Sequence, residues 1–181
     1  TAIKGVNLSI LTEPGNAKMQ QILEEAMVDK LSLQQSLAPK SVCYGCGPAN
    51  ADGLHINSHV KDDTLVATWG PDPKYNAFPG VLYGGLIGCL LDCHCNWTAA
   101  HHLMQAGGLD SLPCTVTATL DLKFLRPTPS DKPVDLVARV VEAKADRATI
   151  EGELLCDGQV CAKARGLFVA VKPGHPAYHR W

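Results

Sequence analysis

Hydrophobic and polar positions change period twice along this chain. Over 16–38, Met19, Ile22, Leu23, Ala26, Met27, Leu31 and Leu37 share one face at helical spacing. Pro14-Gly15-Asn16 supplies a start signal and Pro39 a stop, so a helix is expected over 16–38. A turn-rich segment, CYGCGPANADG, follows at 43–53. The runs 54–60 and 64–69 then read as strands, with Asp62-Asp63 as the turn between them. Prolines and glycines make 70–80 an irregular loop. The next run, 84–104, is apolar nearly all round and is expected to be a long helix ended by Gly107-Gly108. The last third alternates and is rich in β-branched residues, which predicts strands at 115–125, 134–143, 148–156 and 159–171. Asp157-Gly158 is a hairpin signal between the last two.

These elements add up to an α+β domain: a helix, two strands, one long apolar helix, then four strands expected in meander order. An apolar helix needs cover on most sides, and one curved antiparallel sheet wrapped around it supplies that cover. The free edge and outer face of such a sheet favour a dimer that extends it. The expected organisation is an N-terminal helical extension at 1–40, the sheet-and-helix domain at 41–172 and an irregular tail at 173–181.

Composition narrows the function classes. Of 181 residues, 46% are apolar and 19% charged, so the chain is globular. With net charge −2 and no basic stripe, neither nucleic acid nor an anionic membrane is an expected partner. No uninterrupted apolar stretch reaches membrane-spanning length, and the first residues lack the apolar core of a signal peptide. Eight cysteines lie mostly in apolar helix and strand runs, which predicts buried free thiols and a cytoplasmic location.

The candidate chemistry lies in PGVLYGGLIGCLLDCHCNW, 79–97. Gly84-Gly85 places bare amides at a helix N-terminus, where developing negative charge is stabilised. Asp92 sits about two turns further in, among Leu86, Ile87, Leu90, Leu91 and Trp97. A carboxylate in apolar surroundings is costly unless something pairs with it, so Asp92 is a candidate base or nucleophile. Cys43-x-x-Cys46 has the spacing of half a zinc site. Cys93, His94 and Cys95 point to different sides of their helix and cannot complete it together, so no metal and no cofactor are expected. His101-His102 near the helix end, and His175 and His179 in the tail, read as structural or unassigned.

Three motifs in order, CYGCGPANADGL, FPGVLYGGLIGCLLD and TATLDLKFLRPTP, resemble the PaaI-like acyl-CoA thioesterase family over roughly 43–171. The resemblance implies a hot-dog fold and hydrolysis of acyl-CoA thioesters. It further implies that Asp92 is the catalytic acid, that the Gly84 amide polarises the thioester carbonyl, and that Thr117 helps hold the attacking water. Tyr83 stands where the family has a histidine. Ala77 stands where some relatives have an asparagine, with Asn76 beside it. Gly85, Asn76, Gly80 and Arg126 are the expected substrate contacts. Coenzyme A phosphates need cations, for which Lys123, Arg126, Lys144, Arg147, Lys163 and Arg165 are candidates.

Gly84 and Asp92 are eight residues apart on one helix, or about 12 Å. One carbonyl carbon cannot touch both, so the expectation is a site shared between two copies of the chain, in a homodimer or a tetramer. Two alternatives stay open on the sequence: a non-catalytic acyl-CoA or lipid-binding hot-dog module, and a hot-dog dehydratase or hydratase.

Overall fold

The structure, a computed structural model, describes residues 31–178. Its elements in order are α1 (Leu33–Leu37), β1 (His59–Lys61), β2 (Thr64–Trp69), a 3-10 turn (Pro73–Tyr75), β3 (Asn76–Phe78), β4 (Val81–Leu82), α2 (Gly84–Ala106), β5 (Thr115–Phe124), β6 (Val134–Lys144), β7 (Arg147–Cys156) and β8 (Gln159–Ala170). Among the described residues no helix is long and apolar enough to cross a membrane.

Local chemistry sets the element ends. Ser32 has extended backbone and forms a capping box with Gln35, so the helix begins at Leu33. This divides the helix expected over 16–38, whose earlier part lies outside the described residues. Asp157 and Gly158 both take positive φ, 50° and 71°, which makes the two-residue turn that suits the twist of β7 and β8. Gly108, with φ 58°, follows the end of α2.

The main sheet has the order β1-β2-β6-β7-β8-β5, with every neighbouring pair antiparallel. The last four strands are therefore not a simple meander. β6, β7 and β8 are, but β5 lies beyond β8 at the far edge. The segment after β5 crosses back to deliver β6 beside β2, and the sheet closes on the apolar helix between its two ends. The run 54–60 is also shorter as a strand than expected. Only His59–Lys61 pairs with β2. Leu54 and Ile56 instead donate their amides to Tyr44 and Gly45 carbonyls, at 2.7 and 3.1 Å. The loop 70–80 holds a 3-10 turn and the small β3–β4 hairpin.

α2 lies on the inner face of the sheet, where Trp97, Leu90, Leu91, Leu136, Ile150 and Phe168 are fully buried. The helix can approach closely because Gly152 of β7 has no side chain; a Cβ there would sit 2.5 Å from the Cys95 sulfur. The opposite side of α2 is covered by the strap 41–58, and a Cβ on Gly45 would collide with the Cys93 sulfur. The chain thus covers most of its own helix. The strap is pinned by a buried relay. Gln34 Nε2 donates to Ser58 Oγ at 3.0 Å, Ser58 Oγ contacts His94 Nδ1 at 2.9 Å, and His94 Nε2 contacts the Leu65 carbonyl at 3.0 Å. A carbonyl can only accept, so Nε2 carries the proton and Nδ1 accepts from Ser58. Burial pushes His94 down to about 4, which keeps it neutral and structural.

Candidate active site

Along α2 the less buried positions in the first half are Gly84, Gly85, Cys89 and Asp92. Gly84 and Asp92, with the buried Gly88 between them, form a stripe facing β5, while Cys89 faces the strap. Asp92 is half-buried rather than enclosed, which corrects the expectation of a fully buried charge: its flanking leucines point into the core and the carboxylate does not.

β5 meets this stripe in reverse order. Phe124 lies beside Gly84, where an added Cβ would be 3.6 Å from the ring, and Leu122 lies against Gly88. Further along, Thr117 Oγ1 donates to Asp92 Oδ1 at 2.7 Å. A bulge between Thr117 and Thr119 makes this possible. Simple alternation would put Thr117 on the face of Asp121 and Lys123. The extra residue, Ala118, shifts the parity, so Thr115 and Thr117 face α2 together with Leu120, Leu122 and Phe124. The uninterrupted alternation expected for this strand does not hold.

Two further residues, not anticipated from sequence, extend the site. Asn96 Nδ2 lies 3.5 Å from Thr117 Oγ1, and Thr115 Oγ1 donates to Asn96 Oδ1 at 2.7 Å. The Thr117 proton is committed to the carboxylate, so Thr117 must accept from the amide nitrogen. That orients Asn96. The result is a directed chain from Thr115 through Asn96 and Thr117 to Asp92 Oδ1, which leaves Oδ2 without a protein partner among the described residues. The available signal was spacing: Asn96 is four residues after Asp92 on α2, and Thr115 is two before Thr117 on β5.

The expected carbonyl end lies at the start of α2. Tyr83 is its N-cap residue and makes no side-chain cap. The Leu86 and Ile87 amides turn back to the Tyr83 carbonyl at 3.0 and 3.2 Å. Gly84 and Gly85 lie too early in the helix to find an intrahelical acceptor, so their N–H groups remain available. The Tyr83 ring folds over Gly85, where a Cβ would lie 2.5–2.7 Å from the ring and hydroxyl atoms, so the ring would have to swing aside for any larger residue. Tyr83 and Phe124 are 57% and 55% exposed, leaving an open apolar rim around the two amides.

The remaining sequence candidates scatter. Asn76 is exposed on β3, while Gly80 has φ 78° and its carbonyl accepts from the Ser130 amide. The Arg126 guanidinium donates to Gln159 at 3.1 Å. Lys163 pairs with Glu153 at 2.6 Å, Arg165 with Glu151 at 2.5 Å and Arg147 with Asp146 at 2.8 Å. A groove of about 550 Å³ on the outer face of the sheet is lined by several of these paired charges, including Arg139, Glu151, Lys163 and Arg165. The whole sheet separates it from Asp92, so it is not part of this site. Cys93 meets Cys43 and Cys46, while His94 and Cys95 turn elsewhere, as expected for neighbours on a helix.

Residues 79–163 match the family model of the thioesterase superfamily. None of the curated proteins matches the chain. Among solved structures, a thioesterase superfamily protein from Shewanella loihica is 29% identical with a TM-score of 0.56, covering 69% of this chain and 98% of its own. A phenylacetic acid degradation-related protein from Ralstonia eutropha is 23% identical with a TM-score of 0.57, covering 69% and 92%. The PaaI protein of E. coli is 19% identical with a TM-score of 0.52, covering 64% and 83%. The two lower identities speak to the fold alone. Together with the antiparallel sheet around α2, these likenesses give the chain a hot-dog fold, and its residues 79–163 are similar to the thioesterase superfamily.

Proposed function

We propose that the chain hydrolyses acyl-CoA thioesters as a homodimer, with Asp92 as general base. The observation that carries this reading is the 2.7 Å hydrogen bond from Thr117 to Asp92 Oδ1, which holds the carboxylate with Oδ2 open. Water bound between Thr117 and Asp92 loses a proton to Oδ2 as its oxygen bonds to the thioester carbon. The carbonyl oxygen becomes an oxyanion, held by the N–H groups of Gly84 and Gly85 at the positive end of α2. Collapse of that intermediate breaks the C–S bond, and the coenzyme A thiolate leaves with the proton returned from Asp92. The exposed faces of Tyr83 and Phe124 would receive the apolar part of the acyl group.

Gly84 and Asp92 remain about 12 Å apart on a continuous helix, so the two halves come from different copies. β5 supports a specific pairing. It is ten residues long, has β8 on one side and no strand on the other among the described residues. Such an edge invites a second chain. If two β5 strands pair antiparallel about their middle, near Leu120, the Thr117 end of one lies opposite the Lys123 end of the other. Because Thr117 sits at Asp92 and Phe124 at Gly84, that twofold brings the acid of one chain toward the glycine amides of its partner.

The experiment is steady-state hydrolysis of a panel of acyl-CoAs by wild type and Asp92→Asn, with sedimentation of both. Turnover by a dimeric wild type and a fall of about 10²–10⁴-fold in kcat for the variant are expected. An unchanged rate removes Asp92 from the mechanism. Tight binding of an acyl-CoA with no turnover in the wild type would favour a non-catalytic binding module, a reading that the tyrosine at position 83 makes specific.

A further inference from the structure

The CYGCG turn of the strap and the middle of α2 bring three cysteines to one point, with a fourth, Cys89, next to it on the helix. The sulfurs of Cys43, Cys46 and Cys93 all lie within 4.8 Å of one another, with Cys43 and Cys93 at 3.9 Å. A Cβ on Gly45 would collide with the Cys93 sulfur and lie 3.3 Å from that of Cys89, so the strap backbone is seated between these two helix thiols. Cys89 and Cys93 are four residues apart and share a face of α2. A zinc ion with tetrahedral sulfur ligands at about 2.3 Å spaces those sulfurs about 3.8 Å apart. The Cys43–Cys93 separation already has this value.

A donor beside the cluster points the same way. The indole N–H of Trp97 donates to the Cys46 sulfur at 3.1 Å. Sulfurs that only accept hydrogen bonds are favoured as thiolates, and several thiolates at such distances repel unless a cation sits between them. His94 is excluded as a ligand because both its ring nitrogens are committed to Ser58 and Leu65.

We propose that Cys43, Cys46, Cys93 and Cys89 form a binding site for one soft divalent cation, Zn²⁺, that clamps the strap to α2. Cys43, Cys46 and Cys93 form the preassembled face. Cys89, only half-buried, closes the fourth position. Each thiol that ligates gives its proton to solvent, and the metal replaces up to four protons with no change of oxidation state. The clamp would hold the segment of α2 that carries Asp92, since Cys89 and Cys93 flank that residue.

The test uses the full chain and needs no enzymatic activity. Purified without chelator, the protein should hold one zinc per chain by elemental analysis. Stripped and reduced, it should bind one equivalent of Co²⁺ and develop sulfur-to-cobalt charge-transfer bands together with the intense visible bands of tetrahedral cobalt. Cys46→Ser and Cys93→Ser should each weaken Co²⁺ binding at least about 100-fold. Cys89→Ser should weaken it about tenfold and shift the visible bands. Cys114→Ser, remote from the cluster, should bind as wild type. Failure of the reduced wild-type chain to bind either metal at micromolar concentration overturns the proposal, whatever the fate of the variants. So does a thiol count under denaturing, non-reducing conditions of six rather than the eight free cysteines of the chain, which would reveal a disulfide. Wild-type cobalt spectra in Cys89→Ser would remove Cys89 from the ligand set.

Discussion

Thr117→Val is the most informative single change. Valine keeps the shape of threonine and its preference for a strand, but removes the proton donated to Asp92 Oδ1 at 2.7 Å. It also removes the acceptor for Asn96. A hydrogen bond to a charged group contributes about 1.5–3 kcal/mol. If that bond holds the carboxylate in its reactive orientation, its loss appears in the transition state and lowers kcat roughly 10- to 150-fold, since about 1.4 kcal/mol is one decade of rate. Thr117 is exposed in the single chain, so folding stability should scarcely change. The assay is kcat and KM for the best acyl-CoA in wild type, Thr117→Val, Asp92→Asn and the double variant, with Tm as a control. With the base already removed, the valine should cost less than about threefold, because the two groups act as one unit. A kcat within twofold of wild type, or an equal cost in both backgrounds, refutes the role of the hydrogen bond.

Three further outcomes follow from individual residues. Tyr83→Phe should lower kcat less than Asp92→Asn and leave Tm unchanged, because the ring's contact over Gly85 survives; a loss as large as that of Asp92→Asn would make the hydroxyl central. Asp135→Asn should raise Tm at pH 7. Burial raises the Asp135 carboxyl above its ordinary value of 3.8 against the opposing bond from Thr68, so its contribution to stability is present below that value and lost as pH rises through the folded-state pKa. The gain in the variant should shrink toward pH 4, and a gain that grows on acidification would contradict the sign. Thr128→Val should be neutral or stabilising by about 1 kcal/mol in denaturant unfolding, because the Thr128 hydroxyl is buried without a partner among the described residues. A clear loss of stability would show that the hydroxyl has a role.

Most elements were legible from local sequence because their causes are local. β2 runs over the predicted 64–69, α2 starts at the expected glycine, and the Asp157-Gly158 turn forms where two residues can take positive φ. Asp92 was legible too, since an acid in a helix so apolar stands out against its neighbours, and Thr117 was reached through family resemblance.

The tertiary structure decided what depends on residues far apart in the chain. The placement of β5 at the edge follows from how the sheet closes on α2, which no strand's own pattern records. The Ala118 bulge reverses the parity of half a strand and thereby selects which threonines face Asp92. Asn96 joined the site only when β5 was laid beside α2. The cysteines show the same division most clearly. Spacing alone separates Cys43-x-x-Cys46 from Cys89-x-x-x-Cys93 by some forty residues, and the turn and the helix each present only a pair of thiols. The strap laid over α2 brings the pairs together, because Gly45 lacks the side chain that would hold them apart. Capping, turns and periodicity are encoded within a few neighbouring residues, whereas strand order, strand parity and clusters built across elements arise only when separate segments share one core.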